Sequence, residues 1–324
     1  MILIVSNDDD DHARAVIESL RRRKSVAVQL LDLSRFPKEL HLGLDYEEGA
    51  GPIRSWFRND REAVSVSNCS VVWWRRPQPF SMHEELLDPS QLSFAHTECY
   101  EAVNGLWLTF PATWVNHPSR DEEAARKPYQ LRIAREVGFE IPRTRITSDP
   151  AAAAQFVEEL GSSRTIYKAF TGTEQVWRET RVLRENEVAL LDDVQFAPVI
   201  FQEYIPAQLD LRITVIGDEI HASAIHSAEG AYQADYRMEL SDARVETFTL
   251  PSGIQSLVRA YMRRLGLLYG AVDIRVTPEG RYVFLEINPS GQWLFMEERT
   301  GAPMTEAFTS LLVREHEKRA GAGA

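Results

Sequence analysis

Asp273, Glu286 and Asn288 stand in the segment GAVDIRVTPEGRYVFLEINPSG, and their types and spacing suit a magnesium site. The runs AVDIRV and YVFLEIN alternate apolar and polar residues, and TPEGR between them is turn material, which predicts a β-hairpin. Side chains two apart on a strand share a face, so Glu286 projects with Asn288, and Asp273 with Arg275. Strands paired about the turn bring two carboxylates and an amide oxygen onto one patch. Hard oxygen ligands without His or Cys suit Mg²⁺, which keeps positions for water and nucleotide phosphates. A solvated hairpin face with scattered charges is the bland alternative. It does not explain why the acidic residues sit among Ala, Val, Phe, Leu and Ile rather than in the turn.

Two lysines and a short extended run add to this patch. Lys168 lies in the apolar strand TIYKAF and is followed by Thr171, Gly172 and Thr173. A lysine in such a strand is uncommon unless its ammonium reaches a partner. A phosphate beneath the backbone N–H groups of the Thr-Gly-Thr loop is a natural one, although a lysine snorkelling to water looks the same. Lys127 begins the helix of ARKPYQLRIAREVG, where its charge opposes the helix dipole unless an anion lies nearby. FQEYI, residues 201–205, is bounded by Ala-Pro and Pro206, as a linker between two lobes would be. Gln202, Glu203, Tyr204 and Ile205 can present backbone groups to an adenine edge, with Phe201 and Ile205 closing an apolar slot. An ordinary buried strand reads the same way locally. Asp210 and Arg212 share a strand face, where a guanidinium can hold a carboxylate by two bonds or form a structural surface pair. His221 and His226 fall on opposite faces, which argues against a joint metal site.

The elements around these residues fall into three units, 1–115, 116–200 and 201–324. The first begins with the buried strand ILIVS, a helix over Asp11–Arg23 and a second strand VAVQLLDL, a β-α-β start that predicts a parallel sheet. Its first turn, SNDDDD, is not a glycine-rich phosphate cradle, and Asp8 to Asp11 read as helix-capping residues. SVVWWRRP is a further strand ending at proline, with Trp73 and Trp74 as packing residues. In the second unit a helix places Leu131, Ala134 and Val137 at helical spacing and stops at Gly138. A strand, a helix and the Lys168 strand follow, and then ETRVLRENEVALLDDV, read as a hairpin turning at Glu185 and Asn186. The third unit holds the strands LDLRITVIGD and EIHASAIHS, a helix over Ser252–Leu265, the metal hairpin and a last helix.

Composition excludes other classes. A net charge of −12 lacks the basic footprint that nucleic-acid binding needs. The longest apolar stretch, AVNGLWLTFPATWV, is too short to span a bilayer, and MILIVSNDDDD has no basic region that would mark a signal peptide. Cys69 and Cys99 have no paired spacing and read as thiols in a reducing cytoplasm. The expectation is a soluble cytoplasmic protein with no nucleic-acid or membrane partner.

A helix lysine, a strand lysine, a Gln-Glu-Tyr-Ile linker and a terminal Asp…Glu-x-Asn hairpin, in that order, resemble the ATP-grasp ligases over roughly residues 116 to 312. Within that superfamily, APVIFQEYIPAQLDLRITVIGD and the amino-terminal VVWWRRP resemble the peptide-macrocyclising ligases of the microviridin type, the graspetides. The resemblance implies an α/β (α+β) ATP-grasp fold: a pre-ATP-grasp domain over 1–115, a central subdomain over 116–200 and a carboxy-terminal lobe over 201–324. It implies ATP and Mg²⁺ as cofactors and a ribosomal precursor peptide, leader plus core, as partner. Lys127 and Lys168 would meet the phosphates, Arg212 with Asp210 the acceptor carboxylate or oxyanion, and Arg275 would assist beside the metal. Such ligases read a leader remote from the core, and Asp192 and Asp193 are the candidate leader contact. Pro128 directly after Lys127 departs from the pattern and weakens the assignment of that lysine. Two other readings stay open: a ligase adding amino acids to a small molecule or protein C-terminus, and an ATP-binding regulator without ligation. Ester or amide product and oligomeric state, a homodimer included, are open too.

Overall fold

The computed structural model describes residues 1–23, 26–48, 53–170, 180–226 and 243–322. The chain opens with β1 (Ile2–Val5), α1 (Asp11–Arg23) and β2 (Val28–Leu31), followed by β3 (His41–Asp45), β4 (Arg54–Arg58), β5 (Ala63–Ser65), β6 (Val71–Trp74), α2 (Pro89–Thr109) and β7 (Thr113–Val115). Next come α3 (Pro118–Ala125), α4 (Lys127–Val137), β8 (Thr144–Thr147), α5 (Pro150–Leu160), β9 (Thr165–Lys168), β10 (Arg181–Val182), a 3₁₀ run over Glu185–Phe196, and β11 (Val199–Glu203). The last stretch comprises β12 (Leu209–Ile216), β13 (Glu219–Ile225), β14 (Val245–Thr247), α6 (Ser252–Leu265), β15 (Tyr269–Val276), β16 (Tyr282–Asn288), α7 (Leu294–Thr300) and α8 (Met304–Ala322).

The amino-terminal sheet runs β2-β1-β6-β7 with every pairing parallel, as the β-α-β start predicts. Ile2 to Val5 are fully buried because β1 is covered on both faces. Asp10 caps α1, accepting from the amides of His12 and Ala13 at 2.9 and 3.2 Å. The antiparallel sheet β3-β4-β5 has no counterpart in the sequence reading. Cys69 is buried and its thiol is pushed up to about 12 by that burial, which leaves it unreactive.

The second sheet runs β10-β9-β11-β8, all antiparallel. The expected hairpin over 179–194 is corrected here. After the short strand β10 the chain winds as a 3₁₀ run, so Asp192 and Asp193 lie on exposed helical turns rather than on a hairpin. The cause is a period of three: Leu191 and Val194 lie on one side and pack on Phe156, Val157 and Leu160 of α5. Glu187 starts the winding by accepting from the Arg184 amide at 3.0 Å.

The third sheet, β14-β13-β12-β15-β16, is antiparallel, and every residue of β15 is buried. Leu211, Ile213, Val272 and Ile274 face α4 and α6 in one core. On the other face Ile216 and Tyr269 join Trp293, Phe308 and Leu312 in a core shared with β1, β6 and α1. The amino-terminal sheet is therefore fused to the back of the third sheet. Helix α4 buries Gln130, Ile133 and Ala134, a rotation of the Leu131, Ala134 and Val137 stripe expected, and ends at Gly138 with φ 100°.

Candidate active site

Strand pairing brings the expected metal residues together. Asp273 lies directly opposite Glu286, and Ala271 opposite Asn288, with a bulge after Asp273. The Asn288 amide lies 3.4 Å from Asp273 Oδ2 and 3.3 Å from Glu286 Oε1. Turning that amide over would place its oxygen at the same spot, giving three hard oxygen donors on one patch. Two carboxylates and an amide oxygen fit Mg²⁺. Among the described residues no group of three or more His, Cys, Asp or Glu is arranged to hold a metal ion, so a site here draws on the amide oxygen as well. Each carboxylate already meets a cation: Glu286 pairs with Lys127, and Asp273 takes both its oxygens to Arg212 Nη1, at 3.0 and 2.9 Å. The helix-start lysine thus has the nearby anion that its position calls for.

Asp210 and Arg212 do not pair with each other. Arg275 grips Asp210 by Nε and Nη2 at 2.8 and 3.0 Å, its register partner on β12, while Arg212 faces Asp273. The result is a buried ladder of opposite charges across two strands. Nη1 of Arg275 donates to the Ile205 carbonyl at 3.0 Å, so this guanidinium ties β15 to the linker.

Along the linker, Gln202 is buried and donates to Thr144 Oγ1 at 2.9 Å. The amides of Glu203 and Tyr204 donate to the carbonyls of Arg143 and Arg164, each at 2.8 Å. Register places Ile166, Lys168, Ile200 and Gln202 on one face of the second sheet, and Tyr167 and Phe201 on the other. Phe201 is consequently buried against α5 and does not border the Lys168 face, which corrects the slot expected between Phe201 and Ile205. Thr144 and Ile146 line a cleft of about 730 Å³ with Pro128 and Leu131 of the Lys127 helix. Lys168 is half-buried at the end of β9, and the Thr-Gly-Thr loop after it lies outside the described residues.

The sequence reading missed a second ring of residues around Pro289–Trp293, directly after Asn288. Arg75 is 1 % exposed; its Nη1 donates to the carbonyls of Ser290 and Gly291 at 2.7 and 3.2 Å, and its Nε to Asp10 at 3.0 Å. Arg76 has φ 44°, rare without glycine, and its Nε reaches the Ser290 carbonyl at 3.0 Å. Burial works against the Asp10 carboxylate, but Arg75, the Ala13 amide and the Ser6 hydroxyl outweigh it and hold the carboxyl low. Burial, with the Arg75 charge, pushes His12 down to about 3. The ring is neutral, and its Nε2 accepts from the amides of Trp293 and Leu294 at 2.9 and 3.2 Å. Asp121 receives the Ser290 hydroxyl at 3.0 Å, and burial pushes its carboxyl up to about 6. The one signal in the sequence is an Arg-Arg pair at the end of a wholly apolar strand, where a buried charge needs a partner.

An antiparallel sheet carrying a strand lysine, joined by a linker to a second sheet whose last hairpin presents acids and an amide, is an ATP-grasp fold. Residues 1–122 match the MvdD pre-ATP grasp domain and residues 125–310 the RimK-like ATP-grasp domain. The chain belongs to the RimK-like ATP-grasp family. Its structure is similar to macrocyclase MdnC from Microcystis aeruginosa MRC bound with precursor peptide MdnA, at 27% identity and TM-score 0.84, covering 97% of this chain and 99% of that one. A RiPP-associated ATP-grasp ligase of Chryseobacterium gregarium, in complex with ADP and a leader and core peptide, is 26% identical with TM-score 0.87, covering 97% and 96%. The ATP-grasp ligase PsnB, complexed with minimal precursor, Mg and ADP, is 25% identical with TM-score 0.79, covering 97% of each chain. No curated protein matches the chain. Among the described residues no helix is long and apolar enough to cross a membrane.

Proposed function

We propose that this protein is an ADP-forming ligase that closes rings in a ribosomally made precursor peptide. Asp or Glu side chains of the core are activated as acylphosphates and joined to Ser or Thr hydroxyls, or Lys amines, giving macrocyclic esters or amides. The observation that carries this reading is Arg212, a guanidinium held against the Asp273, Glu286 and Asn288 patch, where a carboxylate can be gripped beside transferring phosphate. MdnC and the Chryseobacterium ligase, each similar over nearly its whole length, are bound with a precursor peptide and with a leader and core peptide, which supports a peptide over a small metabolite.

A carboxylate does not react with a hydroxyl or amine at neutral pH, because oxide would have to leave. Phosphoryl transfer from ATP to a carboxylate oxygen releases ADP and leaves an acylphosphate. Attack by the hydroxyl or amine then forms the new bond, phosphate departs with the electron pair, and the nucleophile loses its proton. Mg²⁺ held by Asp273, Glu286 and Asn288 would neutralise phosphate charge. Lys127 and Lys168 offset further charge on the phosphoryl group, and Arg212 holds the acceptor carboxylate and the oxyanion that follows. Asp210 and Arg275 position this set, the one flanking Arg212 and the other fixing the linker. With the Glu203 and Tyr204 amides engaged, the Ile205 N–H serves the adenine edge, and Gln202 shapes the pocket on the Lys168 face. Incubation with ATP, Mg²⁺ and a short Thr- and Glu-rich peptide, taken from any such gene found beside this one, should yield ADP and phosphate and remove one water from the peptide mass per ring. Addition of a free amino acid would instead identify the amino-acid-adding ligase, and AMP with pyrophosphate would exclude an acylphosphate intermediate.

Lys168→Ala should weaken ATP binding by about tenfold or more, since a charge-assisted phosphate contact is lost. Calorimetry showing unchanged affinity would remove Lys168 from the nucleotide site.

The leader docks on the 3₁₀ run that carries Asp192 and Asp193. Beside it lies a cavity of about 290 Å³ with apolar walls from Leu183, Leu190 and Phe201 and Asp193 among its lining. Leu190 and Phe196 are exposed on the same run. That mixture suits an apolar leader helix bearing an Arg or Lys. Charge reversal at both aspartates should raise KM for leader-bearing precursor and spare leaderless core. An equal response from both peptides would exclude docking there.

A further inference from the structure

We infer that Arg75, at the end of the amino-terminal sheet, positions the Arg212 guanidinium by holding the Pro289–Trp293 loop from behind. The inference rests on the reading of Arg212 as the carboxylate clamp. Four hydrogen bonds to consecutive carbonyls of this loop connect the two arginines. Arg75 Nη1 donates to the carbonyls of Ser290 and Gly291. Tyr269 Oη donates to the same Gly291 carbonyl at 2.6 Å. Arg212 Nη2 reaches the next carbonyl, Gln292, at 3.4 Å. The loop is packed so closely that a Cβ on Gly291 would lie 2.8 Å from Arg212 Nη2 and 2.5 Å from the Ala271 Cβ. Since Arg212 is fixed through Nη1 to Asp273, the loop decides where Nη2 can lie.

Arg75 is itself held. Asp10 accepts its Nε and also the Ser6 hydroxyl, while the other Asp10 oxygen caps α1. His12, in the first turn of that helix, secures the far end of the loop at Trp293 and Leu294. Asn116 donates to Pro289 O at 3.2 Å at the near end. The first turn of α1 therefore sets both the guanidinium and the segment it grips. A buried ion pair used only as a staple gains little over apolar packing of the same volume. Here the guanidinium spends its N–H groups on two consecutive carbonyls, a directional demand that packing cannot meet. The amino-terminal domain acts on this account as the rear support of the carboxylate clamp, and Arg75 is a positioning residue that never touches substrate.

The experiment compares Arg75→Met, Tyr269→Phe and Gly291→Ala with the parent in the precursor assay, alongside ATP affinity by calorimetry and thermal melting. Arg75→Met should lower kcat for ring closure by about tenfold to a hundredfold, the scale expected when a reacting group is misplaced by about 1 Å. ATP affinity should stay within about twofold, because the lysines and the metal residues are untouched. Gly291→Ala should show the same split, which keeps the test valid if Arg75→Met fails to fold, and Tyr269→Phe a weaker version. Full ring closure in a folded Arg75→Met protein, or in Gly291→Ala should Arg75→Met not fold, overturns the inference, as does parallel loss of ATP binding. Arg212→Lys keeps charge but loses the planar fork. Adding Arg75→Met to it should cost little more than Arg212→Lys alone, since both act at one point; multiplied losses would place Arg75 elsewhere. Full activity in Arg212→Lys together with Arg212→Ala would defeat the clamp reading itself rather than the positioning.

Discussion

Glu286→Gln is expected to stop ATP turnover and ring closure while leaving the fold in place. The amide has the volume of the acid, and β16 keeps its pairing to β15 whichever side chain stands at 286. What changes is charge and direction. Glu286 accepts from Lys127 and from Asn288 and stands opposite Asp273. A glutamine would turn either an uncharged oxygen or an N–H donor toward the same ammonium and the same Mg²⁺ position. Residues that merely orient metal ligands cost about 10- to 100-fold when changed, so loss of a carboxylate ligand should cost at least about 100-fold. ADP release and peptide mass give the rate, and circular dichroism with thermal melting gives the fold. Parental activity in a folded Glu286→Gln protein would discard the metal patch.

Arg212→Ala is expected to bind ATP and precursor yet close rings only at a small residual rate. Its contribution is made at the reacting carboxylate, so kcat falls by about 10²- to 10³-fold while nucleotide affinity holds. The structure adds a consequence that a surface ion pair would not have. Arg212 and Asp273 are both nearly inaccessible, so removing the guanidinium leaves the Asp273 charge buried and less compensated, and the melting temperature should drop. Mg²⁺ should restore part of that loss, because a cation at Asp273 answers the same charge. Calorimetry with ATP, a pull-down with precursor and mass spectrometry of the product separate the steps. Ring formation at the parental rate would remove Arg212 from the reaction.

The parts of this protein readable in one dimension are those whose signal is local. Alternation over AVDIRV and YVFLEIN marks β15 and β16, and two-residue spacing alone puts Glu286 with Asn288. Helix α6 spans Ser252–Leu265 as its periodicity predicts, ending at Gly266 in a left-handed conformation. The order of lysine, lysine, linker and acidic hairpin was enough to indicate an ATP-grasp ligase.

Errors arose where two periods compete. ETRVLRENEVALLDDV carries both an alternating and a three-residue pattern, and packing on α5 favoured the second. Phe201 could face either side of β11 until the register with β9 put it opposite Tyr167. Amino-acid types and their near neighbours in sequence determined which groups this chain would use: two carboxylates and an amide, two lysines and a set of arginines. Which of them meet was decided by strand register across 61 and 65 residues, which set Arg212 on Asp273 and Arg275 on Asp210. The grip of Arg75 on Ser290 spans 215 residues. Such contacts leave no spacing to read, because charge pairing depends on which strands lie side by side, and burial of the two large apolar cores chooses that arrangement.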